Sequence, residues 1–183
     1  MSTTAPAAIA AGTWTADPVH SSVEFSARHM AVATYRGALP SFELSLTAGA
    51  DGMRLEGRAP VAPVTTEDPN LTAHLLSPDF LDAERHPEVR FTSTSVRREG
   101  EDGVVVEGEL TMKGVTRPVT FTGTLVGPVD DPWGGSRMGL DITTRVDRRD
   151  FGMTWSLDMP GGGLVLGYEV KLNAQAELVR RAA

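Results

Sequence analysis

The sequence predicts an all-β protein, an eight-stranded antiparallel up-and-down barrel with a short helical insert, and three observations carry that prediction. Apolar and polar residues alternate through eight separate segments, as they do in strands with one face turned inward. Turns rich in Gly and Asp separate many of these segments, so neighbours in sequence pair as hairpins. Several segments run to about ten residues or more, and a long antiparallel sheet avoids exposed edges best by closing on itself.

The elements follow in order. Val23, Phe25 and Ala27 face inward first, against Ser22, Glu24 and Ser26. Phe42, Leu44, Leu46 and Ala48 come next, and the turn through Gly49 and Asp51-Gly52 leads to Met53, Leu55, Gly57, Ala59 and Val61. Between Thr66 and His86 the alternation stops. There Asp68-Pro69-Asn70 can cap a short helix carrying Leu71, Leu75 and Leu76, an insert that covers one end. Val89 and Phe91 resume the pattern, and the turn Glu99-Gly100-Glu101-Asp102-Gly103 joins them to Val104, Val106, Gly108, Leu110 and Met112. Lys113-Gly114 turns the chain to Val115, Val119, Phe121 and Leu125. A longer loop through Gly127-Pro128, Asp130-Asp131-Pro132 and Gly134-Gly135 precedes Met138, Leu140, Ile142 and Val146. The last strand alternates from Leu164 and Leu166 through Tyr168, Val170, Leu172, Ala174 and Ala176 to Leu178. Residues 1–12 are set apart as a mobile N-terminal segment, which leaves 13–181 as a single domain.

Composition narrows the function. With 183 residues, 40% of them hydrophobic, the chain builds one core. Its net charge of −7 argues against a nucleic-acid footprint and an anionic lipid surface. Fifteen of the 17 basic residues are Arg, but they are scattered and read as a solvated face. The absence of Cys removes thiol nucleophiles and zinc-cysteine sites. No leader is recognisable, which predicts cytoplasmic residence, and no apolar run reaches the roughly 18 residues of a membrane-spanning helix.

No catalytic or metal-binding constellation is legible. His20, His29, His74 and His86 lack ligand spacing, and hydrogen bonding at strand ends accounts for His20 and His29. Gly134-Gly135-Ser136-Arg137-Met138-Gly139 is a hairpin loop rather than a nucleophile elbow. Asp150-Phe151-Gly152 matches a kinase tripeptide without the loops that would give it meaning, and Gly161-Gly162-Gly163 precedes a strand instead of a helix. The expectation is a protein that is not an enzyme, with no cofactor and no metal. What remains is an apolar interior with small inward residues, among them Gly57, Gly108, Gly123, Ala27, Ala59, Ala174 and Ala176. Periodicity alone leaves open whether that interior is packed or hollow.

Five ordered blocks then resemble one family. They are Asp17-Pro18-Val19-His20-Ser21-Ser22-Val23-Glu24-Phe25 with Arg28-His29; Thr66 to His74 with Pro78-Asp79-Phe80-Leu81-Asp82; His86-Pro87-Glu88-Val89-Arg90-Phe91; Val106 to Val119; and Arg148-Arg149-Asp150-Phe151-Gly152. Together they resemble the YceI-like proteins, described as polyisoprenoid-binding proteins with a lipocalin-like barrel. The resemblance implies a hollow barrel whose elongated pocket holds a long-chain isoprenoid or similar lipid, such as a polyprenyl or an isoprenoid quinone, as carrier or store. It also implies that a homodimer is open to this chain and that many members are periplasmic.

On that footing, inward alternation places the tail against Phe25, Phe42, Leu44, Leu55, Phe91, Val106, Leu110, Phe121, Leu140, Ile142 and Leu166. Leu75, Leu76, Phe80, Phe151 and Trp155 fall near the mouth. Arg28, His29 and Arg148 fall near a polar head group, because a quinone or phosphate needs hydrogen-bond donors. Two alternatives stand beside this reading: an enzyme acting on lipid-like substrate at the barrel mouth, with Asp150 and His29 as acid or base, and a ligand-free interaction module.

Overall fold

The computed structural model describes residues 9–66 and 68–181. Ten antiparallel strands alternate along the chain: β1 (Gly12–Ala16), β2 (Ser22–His29), β3 (Ala33–Ala38), β4 (Glu43–Gly49), β5 (Gly52–Pro60), β6 (Glu88–Glu99), β7 (Gly103–Met112), β8 (Val115–Asp130), β9 (Ser136–Asp147) and β10 (Leu166–Arg180). Eight of them, β1 and β4 to β10, form a closed ring in which β10 pairs back onto β1. The predicted eight-stranded closed barrel is thus the observed one.

Two strands were not foreseen. The long β10 shares one edge between β1, opposite Leu178 to Arg180, and β2, opposite Leu166 to Gln175. β2 and β3 form a hairpin that prolongs the wall, and β3 is tied to the far side through the bridge between Ala38 and Thr65. β1 escaped notice because Trp14 is its only large inward residue. β3 escaped because its inward positions are Tyr35 and Gly37, and Gly37 must be small: a Cβ there would lie 2.3 Å from Cζ of the Phe25 ring.

Of the segment 1–12, residues 1–8 lie outside the described residues. Ile9 packs against the core and Gly12 already opens β1.

Between β5 and β6 the expected helix is present as α1 (Pro69–Leu76). Asp68 caps it by accepting a hydrogen bond from the Asn70 N–H at 2.8 Å, with Pro69 in the first turn. After β9 a 3₁₀ turn, Arg148–Phe151, ends on Gly152 at φ +73°. Both sit over the same end of the barrel, the lid end. No helix among the described residues is long and apolar enough to cross a membrane.

Packing differs between the two ends. At the opposite end, Trp14, Leu46, Val104, Val106, Leu125, Met138, Leu140 and Leu178 are fully buried against one another and form a packed floor. Towards the lid, many inward side chains face a void instead.

Outside the floor, Arg137 gathers acids from three segments. Its Nε donates to Asp131 Oδ2 at 2.9 Å, and its Nη1 reaches Asp17 at 3.4 Å and also Glu177. The Asp131 carboxyl is held below the usual carboxylate value by the Gly135 N–H and then by Arg137. The Asp17 carboxyl is lowered by the Val19 N–H and by His20. Because these folded values are depressed, their contribution is complete above the unfolded value near 4 and vanishes as pH falls through the folded ones. The urea midpoint is therefore expected to hold steady from about pH 7 to 5 on account of this network and to fall below about pH 4, less steeply in Asp131→Asn. Equal acid slopes in the two proteins would show that the network carries none of it.

Candidate functional site

A cavity of ≈ 190 Å³ occupies the barrel between floor and lid. Alternation aims β-strand side chains at it: Phe25 and Ala27 from β2, Leu44 from β4, Leu55 and Gly57 from β5, Phe91 from β6, Leu110 from β7, Phe121 from β8, Ile142 from β9, and Leu172 and Ala174 from β10. Phe91 and Phe121 meet edge to face at 5.2 Å. Small residues keep the space open, since at Gly57 even a Cβ would lie 3.2 Å from Leu44 Cδ1.

The lid borders this space with Leu75 of α1, Phe80, Leu81, Arg148 and Met153. His74, Phe80 and Trp155 form an aromatic cluster, with His74 edge-on to Phe80 at 4.9 Å and to Trp155 at 4.7 Å. Lys113, at the β7–β8 turn, fastens the lid: its Nζ donates to the carbonyls of Pro78 at 2.7 Å and Gly152 at 3.1 Å, one on each lid element.

Of the residues placed on the ligand from sequence, Phe25, Phe42, Leu44, Leu55, Leu75, Phe80, Phe91, Leu110, Phe121, Ile142, Arg148 and Leu166 line the cavity together. Val106 and Leu140 are in the floor and Phe151 is buried in the core behind the lid. Leu76 and Trp155 pack against the core without bordering the void.

Arg28 and His29 are elsewhere. They end β2 on its exposed side, where the Arg28 guanidinium donates to Thr34 Oγ1 at 3.0 Å and to the Ala31 carbonyl within its own hairpin. Strand parity explains Arg28: it alternates with Ala27, which faces in.

Among the described residues, Arg148 is the one charged group buried in the wall, 2% exposed. Its Nε, Nη1 and Nη2 donate to the carbonyls of Gly167, Met153 and Leu166 at 3.1, 2.6 and 3.1 Å. The guanidinium carbon lies 4.8 Å from the Tyr168 ring centre and 5.6 Å from that of Phe80. Burial pushes its pKa below the usual arginine value, yet a guanidinium remains a cation. Five N–H donors meet three carbonyls, so two are left for another acceptor.

Tyr35, Leu39 and Met153 also line the cavity and were missed from sequence, while Met112, already read as inward on its strand, lines it without having been placed on the ligand. Tyr35 belongs to the unforeseen β3, and no pattern marks the loop residues.

Among the described residues, Asp17, His20 and Glu177 bring three ligand-type atoms within 4.8 Å. Arg137 already pairs with both carboxylates there, and the group is part of the surface network.

Comparison with known proteins agrees with this architecture. A family model described as a YceI-like domain matches residues 14–178. A UPF0312 protein of Pseudomonas putida strain GB-1 is 35% identical over 137 residues, 73% of this chain and 71% of that protein. Protein YceI of Escherichia coli O157:H7 is 33% identical over 141 residues, 75% of this chain and 73% of that protein. Among solved structures, Burkholderia cenocepacia BcnA superposes with a TM-score of 0.74 at 19% identity, covering 91% of this chain and 99% of that one. A polyisoprenoid binding domain from Saccharophagus degradans gives a TM-score of 0.66 at 10% identity, with 92% and 98% covered.

Proposed function

The chain belongs to the YceI-like family, and from that premise we propose that it is a carrier or store that takes the apolar tail of a long-chain isoprenoid or similar amphiphile into its barrel. The observation that carries this is the void itself: an apolar space ringed by aromatic and aliphatic side chains, with one buried cation in its wall. Apolar surface removed from water contributes roughly 25 cal/mol per Å², without any demand for directional bonds. The binding named for the S. degradans domain agrees with that use of the fold.

The volume of the cavity limits what fits. At ≈ 190 Å³ it is near the scale of the roughly 150 Å³ apolar cavity that takes up benzene. A short apolar segment enters the barrel as it stands, and a longer tail requires the lid to part. The two unused N–H groups of Arg148, at the lid end, suit an oxygen of the head group.

Solvent extraction of purified protein followed by mass spectrometry tests this, with a matched unrelated protein as control. Wild type is expected to yield close to one lipid per chain. Ala174→Phe, which fills the void with apolar atoms, is expected to retain at least tenfold less at unchanged or higher melting temperature. Equal lipid recovery from the two proteins would place the lipid outside the barrel and overturn the proposal.

A further inference from the structure

The overall charge of −7 hides a local excess of the opposite sign. A groove on the outer face of β2, β3, β9 and β10 is lined by Arg28, Arg36, Arg145 and Lys171, with two carboxylates, Glu24 and Glu169, among them. Arg145 is paired with Glu169. Arg28, Arg36 and Lys171 have no carboxylate within 4.0 Å among the described residues.

Beside this groove stands the β2–β3 hairpin tip, Met30-Ala31-Val32. Val32 is 82% exposed and Met30 43%. Met30 and Ala31 both hold positive φ, +50° and +58°, which non-glycine residues seldom adopt. The tip is anchored to a second exposed apolar residue: the Met30 N–H donates to the Val165 carbonyl at 2.8 Å, and the Val165 N–H donates to the carbonyl of Leu157, itself 57% exposed. This corner lies at the lid end, since Leu166, which lines the cavity, is the register partner of His29.

We propose that this corner docks the protein on an anionic lipid surface. Met30, Val32 and Leu157 enter the interfacial zone while Arg28, Arg36 and Lys171 meet lipid phosphates. At physiological salt, charges more than about 8 Å away are largely screened, so the local patch outweighs the acidic remainder of the molecule. A second copy is a poorer occupant, because a two-fold interface sets the same patch against itself and brings like charges together. Asp158, next to Leu157, is the carboxylate that opposes docking from the tip. The proposal does not depend on what the cavity holds, and its test needs no cargo.

Co-sedimentation with vesicles reads it directly. Wild type is expected to pellet with mixed phosphatidylcholine and phosphatidylglycerol vesicles, not with phosphatidylcholine alone, and to release as salt rises. Val32→Asp and Leu157→Asp are each expected to weaken binding at least tenfold, Lys171→Gln about fivefold, and Asp158→Asn to tighten it. Arg54→Gln, which alters a cation of β5 outside the groove, leaves binding unchanged. Val32, Leu157, Asp158 and Arg54 are exposed and Lys171 is half-buried, and matching melting temperatures establish that the variants fold. Wild type remaining in the supernatant with both vesicles overturns the proposal. So does pelleting of Val32→Asp and Lys171→Gln like wild type, or a concentration-dependent dimer that Val32→Asp dissociates, which assigns the tip to a second copy.

Discussion

Trp14→Ala is expected to lower the unfolding free energy by about 3–5 kcal/mol, the upper part of the range for core truncations. Trp14 is 0% exposed in the packed floor, opposite Leu46 in the β1–β4 ladder and Arg180 in the β1–β10 ladder. Truncation there opens a new void where the ring closes, and the surrounding strands are too constrained to collapse into it. Leu110→Ala should cost closer to the low end, about 2 kcal/mol, because that side chain already borders empty space on one side. Trp14→Phe has an offsetting gain, since the indole Nε1 is buried without a hydrogen-bond partner and its removal relieves that donor. Urea titrations of the three variants check the order. Equal losses for Trp14→Ala and Leu110→Ala would contradict a barrel packed at one end and hollow at the other.

Arg148→Met is the second large effect, an expected loss of about 2–4 kcal/mol despite the apolar replacement. The guanidinium fork serves three carbonyls at once, and those of Met153 and Leu166 lie on the two sides of the loop that returns from the 3₁₀ turn to β10. Without the fork, the Met153 carbonyl stays buried and unmet, the Gly167 carbonyl loses its side-chain donor, and that of Leu166 keeps only the Ser156 hydroxyl at 3.2 Å. Arg148→Lys should recover little, because one ammonium cannot reproduce the planar fork. The pH profile separates this site from the surface acids: an arginine cation does not titrate near neutrality, so the loss should be the same at about pH 6 and pH 8. A variant unfolding at the wild-type midpoint would mean that water reaches these carbonyls and that Arg148 is not structural.

The closed barrel was legible because a period of two reports which way a strand residue faces. It does not report height along the barrel axis. Leu110 and Val106 lie on the same face of β7, yet one borders the cavity and the other is sealed in the floor. Ile142 and Leu140 of β9 divide in the same way. The helix start was legible because Asp68-Pro69 is a local cap, decided within a few residues. Arg28, His29 and Arg148 looked alike in sequence as donors at strand ends, and only the turn after β9 swings Arg148 inward over Phe80. Lys113 carried no signal, since its partners lie 35 and 39 residues away in the chain.

That lysine bears on time as well as on shape. Two hydrogen bonds from one ammonium join the segment after α1 to the 3₁₀ turn, whereas the floor beneath is knitted into the ladders of eight strands. Opening at the lid is thus a local event that leaves the ring intact, and local openings cost far less than global unfolding. On the proposed reading, release of the two Lys113 bonds loosens the lid end without unfolding the ring, so a protein can be slow to unfold and quick to exchange its contents.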